Sequence, residues 1–348
     1  MKKQMIDLCL AATAVIFSCT SCALSGAEPS GNRKTNLEMQ TEIAQISTSI
    51  MQTIAAGWTA TAPASPTAAF VPSDTPMLAF TDTPALPTVV LPTSSPENIG
   101  TPTPDVRPMA DTWAGWPIVP VITDNAANIF WHGVKEMGTN PHVFSKIGDC
   151  HSEPNVFMGI YDTGGYTLDP SDANLQSAID FWKGSFNQES LAVHSGMSTA
   201  SVLTTAWANQ TICKPDENAL DCELRVHNPS IMFINLGSNW VNGLGSDVYY
   251  GYFSQIIEKL ISRGVLPIIT SKADDVEGGN WINETMAQAA RDYDIPFYNF
   301  YPVSQGLPNK GMDSDRNDGV HLSVVAWNWR NYYALQTLYA VGKKLNLF

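Results

Sequence analysis

Over residues 59–109 the chain is dominated by threonine, proline, alanine and serine, with the repeated units Asp74-Thr75-Pro76, Asp82-Thr83-Pro84 and Thr101-Pro102-Thr103-Pro104. A tract of this kind buries too little apolar surface to offset chain entropy, and its prolines keep it extended. It predicts a disordered linker that carries no chemistry of its own. Of the 348 residues, only those from about 110 onward then have the pattern of a packed domain.

The segment ahead of the linker reads as an export signal. Residues 1–26 open with Lys2 and Lys3, continue through an apolar run from Leu8 to Phe17 and end in small residues. The run is too short to span a bilayer. Cys19 and Cys22 each follow a stretch resembling, imperfectly, the lipobox at which a bacterial lipoprotein is cleaved and acylated, so either could carry a lipid anchor. The alternative is an ordinary signal peptide cut after a residue such as Ala23, with both cysteines discarded. Residues 27–58 include Met39, Ile43, Ile46, Ile50 and Ile54 at roughly helical spacing, which predicts a short stalk. The expected location is therefore extracellular, on the outer face of a bacterial cell membrane.

Thirty-three acidic against nineteen basic residues give a formal net charge of −14. That balance argues against a nucleic-acid partner, which demands a basic face. Beyond the signal three cysteines remain, in a compartment that permits disulfides. Cys213 and Cys222 bracket a short polar stretch, Lys214 to Asp221, that a disulfide could staple, leaving Cys150 as the free thiol.

From Trp113 onward short β-rich runs alternate with longer helical ones, which predicts parallel strands joined by crossover helices. Strands are expected at His142 to Ile147, Ser190 to His194, Ile231 to Leu236, Val265 to Thr270 and Pro296 to Phe300, about five in all. Helices are expected over Ala173 to Trp182, Thr199 to Trp207, Val248 to Arg263, Trp281 to Tyr293 and Val324 to Leu345.

Reactive groups of an open α/β sheet gather at the carboxyl ends of its strands. The first such end reads Gly148-Asp149-Cys150-His151, the second His194-Ser195-Gly196, the third Gly237-Ser238-Asn239, and a late loop reads Asp318-Gly319-Val320-His321. In this order the blocks resemble those of the SGNH/GDSL family of ester hydrolases, with Cys150 where the family keeps its serine. The resemblance covers roughly residues 140 to 348. It implies a flavodoxin-like three-layer α/β/α fold with a central parallel sheet of about five strands.

The resemblance also implies roles. Cys150 would be the nucleophile, His321 the base and Asp318 its orienting acid. The backbone N–H groups of Cys150 and Gly196 and the amide of Asn239 would form the oxyanion hole. Acyl transfer needs these four functions and no others, so no cofactor and no metal are expected. A nucleophile at the start of a helix would have its thiol pKa lowered. Asp149 is expected to shape the turn around it. Trp240, Trp281, Trp327 and Trp329 offer aromatic faces for a sugar ring, though core packing is the better expectation for most of them. The chain accordingly reads as a cell-surface hydrolase of an O-acyl ester, its partner a small-molecule or carbohydrate ester. The alternative is a catalytically degenerate domain of the same fold that binds a cell-surface or environmental glycan, with Cys150 a relic.

Overall fold

A computed structural model describes residues 107–240 and 243–348, and the expected signal, stalk and most of the linker lie outside this range. Four strands, β1 (Asn140–Gly148), β2 (Pro229–Asn235), β3 (Leu266–Thr270) and β4 (Phe297–Tyr298), form one parallel sheet in the spatial order β1-β2-β3-β4. The helices that matter for the site are α1 (Asp124–His132), α2 (Gln176–Phe181), α3 (Ala219–His227), α4 (Ser246–Ser262), α5 (Trp281–Asp292) and α6 (Val324–Leu345). The class is α/β, as expected. No helix among the described residues is long and apolar enough to cross a membrane.

Every residue of β2 is buried, so this strand is covered on both faces, which is why its sequence is a continuous apolar run and not an alternation. Helices α4 and α5 pack against each other, as do α2 and α6. Phe233 of β2 meets Phe144 of β1 at 6.0 Å and Phe157 at 5.6 Å between ring centroids. With no exposed surface, the Phe233 ring alone contributes roughly 2–3 kcal/mol of burial energy.

The expected strand over Ser190 to His194 is reduced to a single parallel bridge, Gly148 to Val193. Side chains have taken the ladder's place. The Ser190 hydroxyl donates to the Lys146 carbonyl at 2.7 Å, and the Leu191 N–H donates to the carboxylate of Glu223, on α3, at 2.6 Å. Counted as a vestigial strand, Val193 completes the chain order 2-1-3-4-5, the flavodoxin-like arrangement. Its topological switch point lies between β1 and β2.

Two further differences have local causes. The expected helix over Thr199 to Trp207 is two single 3₁₀ turns, Ser201–Leu203 and Thr205–Trp207. Here the hydroxyls of Ser198 and Ser201 bond to nearby backbone N–H groups and compete with helix formation. The stretch between Cys213 and Cys222 is not all loop. Asn218 accepts from the Asp221 N–H at 2.9 Å and so caps α3, which begins inside it. Cys213 and Cys222 form a disulfide with Cα atoms 5.3 Å apart, and Cys150 is the free thiol among the described residues.

Candidate active site

The carboxyl end of β1 turns sharply at Gly148, and the turn demands glycine. A Cβ there would lie 2.0 Å from Ser152 Oγ and 2.7 Å from the Asn235 carbonyl oxygen. Asp149 follows with its side chain buried. One carboxylate oxygen accepts the His151 N–H at 2.9 Å, and the other accepts the Asn239 Nδ2–H at 2.7 Å. This second bond ties the end of β1 to the loop after β2 across the switch point. Burial pushes the Asp149 carboxyl above its usual range, against the hydrogen bond from His151 and the Arg330 charge, which pull the other way.

Cys150 projects half-buried from this turn, and its Sγ lies 3.5 Å from His321 Nε2. His321 Nδ1 is 2.7 Å from the Asp318 carboxylate. Asp318 also accepts the backbone N–H groups of Val320 and His321, each at 3.0 Å. Three hydrogen bonds hold its carboxyl well below the ordinary carboxylate range, the backbone donors first among the causes. The loop is itself anchored: the Asp313 N–H donates to the His321 carbonyl at 2.8 Å, and the Ser323 N–H to the Gly311 carbonyl at 2.9 Å, just before Ser323 caps α6.

The nucleophile turn differs from expectation in one respect. Cys150 to Ser152 form a single 3₁₀ turn that does not continue into a helix, so the expected nucleophile at a helix start is not seen. Burial, together with the charges of Asp149 and Glu153, pushes the Cys150 thiol up, opposite to the lowering expected of a helix start. At neutral pH Cys150 therefore begins as the thiol.

Of the expected oxyanion donors, Asn239 has one amide hydrogen committed to Asp149 and a second still available. Gly196 stands in the left-handed region (φ 82°) on the exposed loop after Val193, and the N–H groups of Gly196 and Cys150 make no hydrogen bond among the described residues. Of the histidines near these blocks, His194 is exposed and turns its Nδ1 to the Ser195 carbonyl, whereas His151 lies with its ring 5.2 Å from that of His321. Burial holds the His151 ring at a pKa of about 4.

One feature of the site, an arginine on the last helix, carried no obvious sequence signal. Arg330 of α6 is buried. Its guanidinium donates to the His151 carbonyl at 2.6 Å and lies 4.4 Å over the Phe157 ring, fastening the nucleophile turn to the last helix. A lone arginine on the inner face of an apolar helix was the only clue. Beside Asn239, Trp240 and Trp281 line a cavity of about 420 Å³ with Gly237, Leu244, Glu277 and Ile282. Trp327 and Trp329 are half-buried on α6, and Trp329 stacks on Tyr333.

A thiol, an imidazole and an ionised carboxylate thus stand in series at the carboxyl edge of a parallel sheet. Solved structures similar to this chain include a psychrotrophic esterase from Pseudoalteromonas sp. (15% identity over 59% of this chain and 99% of that one, TM-score 0.40). Others are a GDSL-like lipase from Bacteroides thetaiotaomicron (12%, 62% and 99%, TM-score 0.38) and a carbohydrate esterase of family 3 from Talaromyces cellulolyticus (16%, 58% and 98%, TM-score 0.39). No protein-family model and no curated protein matches the sequence.

Proposed function

We propose that the chain is an SGNH-type hydrolase of O-acyl esters, in which Cys150 is the nucleophile, His321 the base and Asp318 the acid that orients it. The observation that carries this reading is the continuous contact from Cys150 Sγ to His321 Nε2 at 3.5 Å and from His321 Nδ1 to Asp318 at 2.7 Å. A thiol raised by its surroundings needs a base at the moment of attack, and His321 is the group in reach. As sulfur adds to the ester carbonyl, the thiol proton passes to His321. The oxyanion is met by the N–H groups of Cys150 and Gly196 and the free amide hydrogen of Asn239, and His321⁺ then protonates the departing alkoxide. Water, deprotonated by His321, hydrolyses the thioester and restores the thiol.

A carbohydrate ester suits the aromatic cavity of Trp240 and Trp281 next to Asn239, because indole faces stack on the apolar faces of sugar rings. A lipid on Cys19 or Cys22, with the threonine- and proline-rich tract as spacer, would hold the domain outside the cell and present it to surface or environmental glycans. The raised thiol also favours a second reading, a degenerate domain that binds such a glycan without turnover.

The test is turnover of a short-chain chromogenic acyl ester by the full chain. Cys150→Ala and His321→Ala should each lower kcat by about 10³-fold or more, because members of such a triad act as a unit. Catalytic turnover that survives both substitutions, or that appears only in Cys150→Ser, would overturn the cysteine-nucleophile reading.

A further inference from the structure

The replacement that brings a thiol to position 150 is followed at once by a second histidine. Cys150 Sγ, His321 Nε2 and a ring nitrogen of His151 all lie within 4.8 Å of one another. We propose that these three residues form a binding site for a thiophilic divalent cation, Zn²⁺, and that occupancy of this site switches off acyl transfer.

The geometry supports this before any movement. Tetrahedral zinc with a thiolate at about 2.3 Å and an imidazole nitrogen at about 2.0 Å sets those two ligand atoms about 3.5 Å apart. Cys150 Sγ and His321 Nε2 are 3.5 Å apart. His151 closes the third vertex through an ångström-scale adjustment of its ring, and the open cleft leaves the fourth for water. His321 is already oriented as a metal-bound histidine is, its other nitrogen held by the Asp318 carboxylate at 2.7 Å. Nε2 of His151 is shielded from solvent and has no hydrogen-bond partner among the described residues. The surrounding charge also suits a cation. The charges of Asp149, Glu153 and Asp318 act on these ligands, against those of Arg330 and Arg316. Binding replaces the thiol proton, which leaves to solvent, by a sulfur–metal bond, with no change of oxidation state. A serine in the same place would supply only a neutral, hard hydroxyl.

The second half of the proposal rests on the esterase reading above: zinc would hold the sulfur and the imidazole nitrogen through which acyl transfer proceeds. The metal-stripped full chain is titrated with Co²⁺ and then Zn²⁺, with ester turnover followed in parallel. The expected result is one equivalent of Co²⁺ giving a thiolate charge-transfer band and the visible bands of a four-coordinate ion, bleached by Zn²⁺, with turnover lost on Zn²⁺ addition and restored by a chelator. Cys150→Ser should abolish the charge-transfer band, and His151→Ala, its fold checked by circular dichroism, should weaken Zn²⁺ binding at least about tenfold while turning over ester in chelator. Absence of the band, unchanged affinity in His151→Ala, or turnover that requires Zn²⁺ would overturn the proposal. A chain that shows the band yet cleaves no ester in chelator would retain the metal site and lose the esterase reading.

Discussion

Two aspartates frame the site, and they sit in opposite environments. Asp149 is sealed beneath the nucleophile turn, 3% exposed, and burial drives its carboxyl up. Asp318 stands on an open loop, its side chain 39% exposed, and three hydrogen bonds drive its carboxyl down. Each accepts a backbone N–H from a residue two or three positions on, so local chain geometry does not separate them. Solvent and donor count do. The exposed, donor-rich aspartate keeps a full negative charge beneath an imidazole that must become cationic. The buried one serves better as a hydrogen-bond clamp between β1 and the loop after β2 than as a charge.

The sharpest way to break this contrast is to neutralise each carboxylate in turn. Asp318→Asn should lower kcat for ester turnover by about 10³–10⁴-fold, the range seen when the orienting acid of a triad becomes an amide, with Tm little changed. Asp149→Asn should reverse the pattern. Its two carboxylate oxygens face two donors, and an amide can accept from only one of them while turning its own N–H groups on the other. The expected loss is about 1–3 kcal/mol of stability, read by denaturant unfolding, with a smaller loss in kcat. Equal effects of the two substitutions on kcat and on Tm would show that the division of labour is wrong.

Asn239 belongs to both sides of the comparison, since one amide hydrogen clamps Asp149 and the other is uncommitted among the described residues. Asn239→Ala should therefore lower kcat by about 10²-fold, as loss of an oxyanion donor does, and also reduce stability by about 1 kcal/mol through the orphaned Asp149 oxygen. A loss of stability alone would remove Asn239 from the oxyanion hole and leave it only the clamp.

Cys150, Asp318 and His321 were legible in the sequence because each lies at a strand end or on a loop where short blocks are read without knowing the rest of the fold. The apolar runs of β2 and β3 were legible for a similar reason, since burial on both faces leaves no alternation to misread. The bond between Asp149 and Asn239 was not, because it joins residues 90 positions apart and exists only once β1 and β2 are neighbours. The reduction of the expected strand over Ser190 to His194 to one bridge at Val193 was not legible, because the side chains of Ser190 and Glu223 take up bonds in a way that strand propensity does not register. Helix α1 was overlooked although Thr123 signals its start by accepting from the Ala126 N–H at 3.2 Å. The raised thiol of Cys150 depends on its burial beside Asp149 and Glu153, which no motif announces.

The smallest expected effect tests whether the β1 side of the site is as dry as Asp149 suggests. Lys146, two residues before Gly148, is 1% exposed, and its ammonium reaches the carbonyls of Phe186 at 2.7 Å and Phe157 at 3.3 Å. Burial pulls its pKa down to about 7, against the opposing charges of Asp162 and Glu223. In the unfolded chain it titrates near 10.4, so between about pH 7 and pH 10 the unfolded state binds more protons and stability must rise with pH. The contribution is absent below pH 7, where both states are protonated and the folded state bears the cost of a buried charge. From pH 7 to pH 9 the native protein should gain about 2 kcal/mol relative to Lys146→Met, whose methionine fills the same space without titrating. Unfolding curves of the two proteins at both pH values give this difference directly. Parallel pH profiles would mean that water reaches Lys146, and the low-dielectric account of the nucleophile turn, including the raised Asp149, would have to be abandoned with it.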